Sequence, residues 1–181
     1  MEQKILDQLK DLPENFIVML IVGSDKYEEA NMNILNMLVN QQNFSGSYVT
    51  VNRPYKSMIE LMKSKGIDHK KLFFIDCITK KIEEPKEIKN CVFIDSPSNL
   101  TELGIALEEV FKQSKHKFLF LDSLNILSVY NSAERVVKFA HFLTSKMRMH
   151  DLKGVMISLH EETDKKLIAE LSQFCDKMVY L

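Results

Sequence analysis

A chain of 181 residues can bury a substantial core, and 45% hydrophobic with 27% charged residues is a globular composition, not a disordered one. The 24 basic and 25 acidic residues leave a formal net charge of −1, which gives no global pull toward nucleic acid or an anionic membrane surface. Cys77, Cys91 and Cys175 form no C-x-x-C pair and the five histidines no H-x-x-x-H pair, which excludes the common zinc spacings and fits a reducing compartment.

Residues 1–12 carry too many charges for a signal peptide, and no apolar run approaches membrane-spanning length. The expectation is a cytoplasmic protein with one domain over residues 1–181. Ile5, Leu9 and Leu12 give the first segment a helical period, and Pro13 ends it. Phe16 to Val22 is continuously apolar, as a strand covered on both faces would be. Gly23-Ser24-Asp25-Lys26 breaks that run. A helix follows to Asn40, with Ile34, Leu35, Leu38 and Val39 on its buried side and Asp25 and Glu28 at capping-box spacing. Ser47 to Asn52 is β-prone, and Pro54 opens a helix with Met58, Ile59, Leu61 and Met62 inside and Gly66 closing it.

Lys71 to Cys77 and Cys91 to Asp95 read as further strands, joined by a charged connection over Ile78 to Asn90. Asn99 and Glu102 then have capping-box spacing ahead of a helix with Leu103, Ala106, Leu107, Val110 and Phe111 on its core face. Lys117 to Asp122 is an apolar strand ending in an acid. Asn131 and Glu134 again have capping spacing, before Val136, Val137, Phe139, Ala140 and Leu143. Gly154 to Leu159 is a strand, Leu167, Ile168, Leu171 and Phe174 mark a helix, and Met178 to Leu181 a closing strand. This alternation predicts an α/β fold: a three-layer αβα sandwich around a mostly parallel sheet.

In such sheets ligands sit beyond the carboxyl ends of the strands. The junctions there are Gly23-Ser24-Asp25-Lys26, Asn52-Arg53, Asp76, Asp122-Ser123 and His160-Glu161-Glu162. The segments FLFLDSLNILSVY (Phe118 to Tyr130), NCVFIDSPSNLTEL (Asn90 to Leu103) and YVTVNRPY (Tyr48 to Tyr55), with Gly66-Ile67-Asp68 following, resemble the RecA/KaiC-type ATPase domain. They are most similar to archaeal KaiC-related single-domain proteins. The resemblance extends over the chain after residues 1–15 and implies the P-loop NTPase fold, with ATP bound between the first strand and its helix and Asp122 as the metal-coordinating Walker B acid.

A working phosphate loop needs G-x-x-x-x-G-K-[ST], in which backbone N–H groups face the phosphates, the lysine neutralises charge and the hydroxyl holds Mg²⁺. Here Lys26 stands in for the lysine, but Asp25 replaces the preceding glycine and Tyr27 the following hydroxyl residue. Aligning from the far end of the helix instead puts Asn31-Met32 in the key places, which serves no better. A carboxylate about 4 Å from one phosphate charge is repelled by roughly 4 kcal/mol at an effective dielectric near 20. As a helix N-cap the same side chain would stabilise by about 1 kcal/mol, so Asp25 is expected to be a cap. The second strand of the resembled enzymes ends in acids that activate water. Asn52 stands there instead, and an amide takes no proton at neutral pH.

Gly23, Ser24, Lys26, Arg53 and Asp122 are the residual nucleotide-site candidates. Arg53 has two roles open to it, an anion-binding fork or a surface partner for a nearby acid. Asp122 is either a ligand-side acid or an acceptor for neighbouring loops. His160 with Glu161 and Glu162 reads as a solvated acidic turn, and Asp76 with Cys77 as structural. The expected protein is therefore a degenerate, non-hydrolysing RecA/KaiC-like domain with no catalytic residue, metal or resident cofactor. It would act as a regulatory or adaptor module through a protein partner or self-association. Two alternatives stay open: an atypical nucleotide-binding protein or ATPase gripping ATP through Lys26, Arg53 and Asp122, and a DNA-linked accessory module, against which the near-neutral charge argues.

Overall fold

The computed structural model describes residues 2–113, 115–160 and 165–181. Its sheet has seven strands: β1 (Ile17–Val22), β2 (Gly46–Thr50), β3 (Leu72–Asp76), β4 (Cys91–Phe93), β5 (Phe118–Asp122), β6 (Lys153–Leu159) and β7 (Lys177–Tyr180). Their order is β4-β3-β2-β5-β6-β1-β7 and every pairing is parallel. The mostly parallel sheet read from the sequence is thus parallel throughout.

Each central strand feeds both faces, which is why its sequence is continuously apolar. Val18, Leu20 and Val22 of β1 join Phe118 and Phe120 of β5 in one core, and Ile17, Met19 and Ile21 join Leu119 and Leu121 in the other. The first face is covered by α1 (Glu2–Leu9), α2 (Tyr27–Leu35) and α3 (Tyr55–Ser64), through residues such as Ile5, Leu35 and Met62. The second is covered by α4 (Leu100–Gln113), α5 (Leu124–Tyr130), α6 (Ala133–Met149) and α7 (Lys165–Ser172), through Leu107, Leu127, Leu143 and Leu171. Helix α5 had no periodic signal of its own among the expected elements. Its buried residues are Leu124, Asn125 and Leu127, too short a run to declare a period.

Two of the three expected caps lie elsewhere. Helix α2 starts at Tyr27 behind Lys26, which has helical dihedrals and makes no side-chain cap. Asp25 is therefore not an N-cap: the chain turns so tightly after β1 that Lys26 N–H already bonds to the Gly23 carbonyl, at 3.0 Å. Ahead of α6 the cap is Ser132, which accepts from the Arg135 N–H. Asn131 is the C-cap of α5 instead, and its amide donates to the carbonyls of Pro97 and Leu127. The Asn99 cap holds: its Oδ1 accepts from the Glu102 N–H at 3.1 Å. Gly66 ends α3 with φ at 69°, a conformation that favours glycine. Helix α2 runs on as a π-helical turn over Asn36–Gln41.

Candidate functional site

Asp122 closes β5 opposite Thr50 of β2. Phe120 and Asp122 are two residues apart, so both point to the face that α2 covers. Tyr48 pairs with Phe120 across β2 and β5, and the rings stack at 5.2 Å. That register carries the Tyr48 hydroxyl up to the carboxyl group of Asp122, to which it donates at 2.5 Å. Asn31 comes down from α2 and its Nδ2 donates to the same Asp122 Oδ2 at 2.8 Å; it also lies 2.9 Å from the Tyr48 hydroxyl. All three side chains are at most 2% exposed.

Burial pushes the Asp122 carboxyl up from its ordinary 3.8 to about 8. The two hydrogen bonds it accepts pull the other way, but both donors are neutral, and loss of water prevails. Burial likewise raises the Tyr48 phenol well above its usual range, so it stays a donor; Asn31 and Arg53 oppose that shift. Asp122 Oδ1 and the Tyr27 hydroxyl are buried with no protein partner. Both residues line a cavity of about 10 Å³, together with Asn31 and Arg53. That is room for about one water molecule.

Of the sequence candidates, Arg53 and Asp122 line this small cavity, whereas Gly23, Ser24 and Lys26 are not part of its lining. Ser24 and Lys26 are exposed on the turn after β1. A phosphate-binding nest needs successive N–H groups aimed at one anion, whereas the Lys26 N–H is spent on the Gly23 carbonyl. Arg53 forms an ion pair with Glu28 at 3.0 Å and, of its two expected roles, takes that of a partner to an acid. Asn52 is exposed. Asp76 is structural: it accepts from the N–H groups of Tyr55, Ile78 and Thr79 and from the Thr79 hydroxyl, and so ties the start of α3 to the end of β3. His160 is exposed, and Glu161 and Glu162 lie outside the described residues. Among the described residues, no group of three or more His, Cys, Asp or Glu could hold a metal ion, and no helix is long and apolar enough to cross a membrane.

Sequence reading did not identify Asn31 and Tyr48 as partners of Asp122. A signal was present at Asn31: it precedes Ile34, Leu35 and Leu38 on one helical stripe, so a polar amide sits where the period calls for an apolar side chain. Tyr48 gave none, because an aromatic residue in a strand is ordinary core.

Similar architecture recurs in two solved structures. The KaiC-like protein PH0186 of the hyperthermophilic archaeon Pyrococcus horikoshii OT3 aligns with a TM-score of 0.67 at 16% identity, over 94% of this chain and 72% of that one. The flagellar accessory protein FlaH of Methanocaldococcus jannaschii aligns with a TM-score of 0.63 at 13% identity, over 97% of this chain and 76% of that one. No curated protein matches the chain. At these identities the likeness establishes the fold, a RecA-like α/β sandwich, in agreement with the resemblance found in the sequence. The model of a family of unknown function, DUF7504, matches residues 60–181. This RecA-like chain belongs to the DUF7504 family.

Proposed function

We propose that this chain is a RecA/KaiC-like domain that does not hydrolyse ATP and acts through protein contacts, as a regulatory or adaptor module. The observation that carries this reading is closure of the space beside Asp122. In a nucleotide-hydrolysing domain of this fold the acid ending that strand helps to hold Mg²⁺ beside the phosphates. Here its Oδ2 is taken by Tyr48 and Asn31, and the remaining cavity is about 10 Å³. Ligand pockets usually measure about 300–1,000 Å³. The residues present do not fit a magnesium nucleotide. We read Gly23 to Tyr27 as a degenerate phosphate loop, with Asp25 repelling the anion and Tyr27 lacking the metal-holding aliphatic hydroxyl.

The direct test is incubation with ATP and Mg²⁺. Phosphate release is expected to stay at the level of a protein-free blank. Turnover that disappears in Asp122→Asn, a substitution that keeps the side chain's shape, would replace this reading by an atypical ATPase.

A further inference from the structure

A groove of about 470 Å³ lies between α4 and α6, on the sheet face opposite the Asp122 network. Its walls include Gly104 and Ile105 from α4 and Phe139 and Phe142 from α6. Ile105 is 60% exposed, so a large apolar side chain stands at the rim of an apolar recess. Gly104 sits in mid-helix, where glycine costs about 0.5–1 kcal/mol relative to alanine. A Cβ there would meet the Phe142 ring at 3.5 Å, an ordinary contact, so alanine would fit. Glycine at this position of α4 leaves room for one methyl group beside the Phe142 ring.

The two walls differ in charge. On α4 the groove is lined by Glu108, and on α6 by Arg135 and Lys138. Glu108 is held by Lys146 at 2.5 Å and remains about one-third exposed. The Lys138 pair with Glu134 is about three-quarters exposed on both sides, at 74% and 77%. Such a pair is worth little and exchanges readily for another partner. A partner of one charge would be attracted by one wall and repelled by the other. A surface with a knob beside a recess, and one carboxylate, Glu108, across from the cations Arg135 and Lys138, can be complementary to itself across a two-fold axis.

We propose that this groove is the interface of a two-fold dimer of this chain. The exposed Ile105 of each copy seats beside Gly104 and Phe142 of the other, and Arg135 and Lys138 face Glu108 of the other copy. The proposal rests on the protein-contact reading above and names a partner for it, a second copy.

Sedimentation velocity over a concentration series tests it on the full chain. The wild type is expected near twice the 21.0 kDa chain mass at high concentration. Ile105→Glu places an unpaired charge in the seam and should raise the dissociation constant at least about tenfold, while Ile105→Leu leaves it within about threefold. Lys138→Glu breaks only the exposed pair with Glu134, which is worth little to the fold, and it should weaken the dimer as well, more strongly at low salt. A wild type that stays at the monomer mass overturns the proposal, as does a dimer indifferent to both Ile105→Glu and Lys138→Glu. Either result would leave the hydrolysis assay, which judges the parent reading separately, unaffected.

Discussion

Asp122 accepts its hydrogen bonds from a phenol and an amide, and both donors are neutral. A carboxylate there has no counter-charge in contact, so the protonated acid is the cheaper buried form. The consequence for stability has a definite sign. Burial raises the folded-state value to about 8, against an ordinary 3.8, so the folded state binds this proton more tightly than the unfolded chain does. The contribution is fully present below the unfolded value, falls as pH rises from about 4 to about 8, and is flat above that. The slope in that window is at most about 1.4 kcal/mol per pH unit. Asp122→Asn removes the titration while keeping the acceptor for Tyr48. Urea unfolding of both proteins should therefore show the wild type losing stability relative to the variant as pH is raised from 5 to 8. A constant difference across that window would mean that Asp122 is ionised in the folded protein.

At the scale of the element, strands were the more legible part and helix starts the less. The continuous apolar run ending at Val22 reads as a two-faced strand, and its residues divide between the two cores as that pattern requires. Caps depend on a single residue's dihedrals, and a neighbouring polar residue can take the position. Asn131 and Ser132 are adjacent and both suit an N-cap; the amide of Asn131 found the Pro97 and Leu127 carbonyls, which left Ser132 to bond with Arg135. At the start of α2 the short turn places Lys26, not Asp25, at the boundary. These assignments separate in a mutant pair. Ser132→Ala should cost about 1 kcal/mol in a denaturant titration, whereas Asp25→Ala should stay within about 0.5 kcal/mol. Equal losses would restore Asp25 as a cap.

At the scale of the whole molecule, order and spacing of the strand–helix units made the RecA-like architecture readable, because each unit announces itself locally. The network at the carboxyl end of the sheet did not, since it joins three distant positions. Asn31 and Tyr48 lie 91 and 74 residues from Asp122, and only the register of β2 against β5 brings Tyr48 and Asp122 together. The network leaves a cavity of about 10 Å³ beside Asp122, and the proposed loss of nucleotide binding has a global readout. A ligand that binds only the folded state adds about 2.7 kcal/mol at one hundred times its dissociation constant. For a chain of this size that raises the melting midpoint by about 5–10 °C. Melting with ATP, ADP, GTP or a cyclic nucleotide and Mg²⁺ is expected to move the midpoint by less than about 1 °C, since among the described residues the cavity lined by Asp122, Asn31 and Arg53 measures about 10 Å³. A rise of several degrees that Lys26→Ala abolishes would mean that the turn after β1 opens to hold an anion. The same experiment on Asn31→Ala gives the converse case: with the amide gone, the hydrogen bond from α2 to Asp122 is lost, and the midpoint should fall whether or not nucleotide is present.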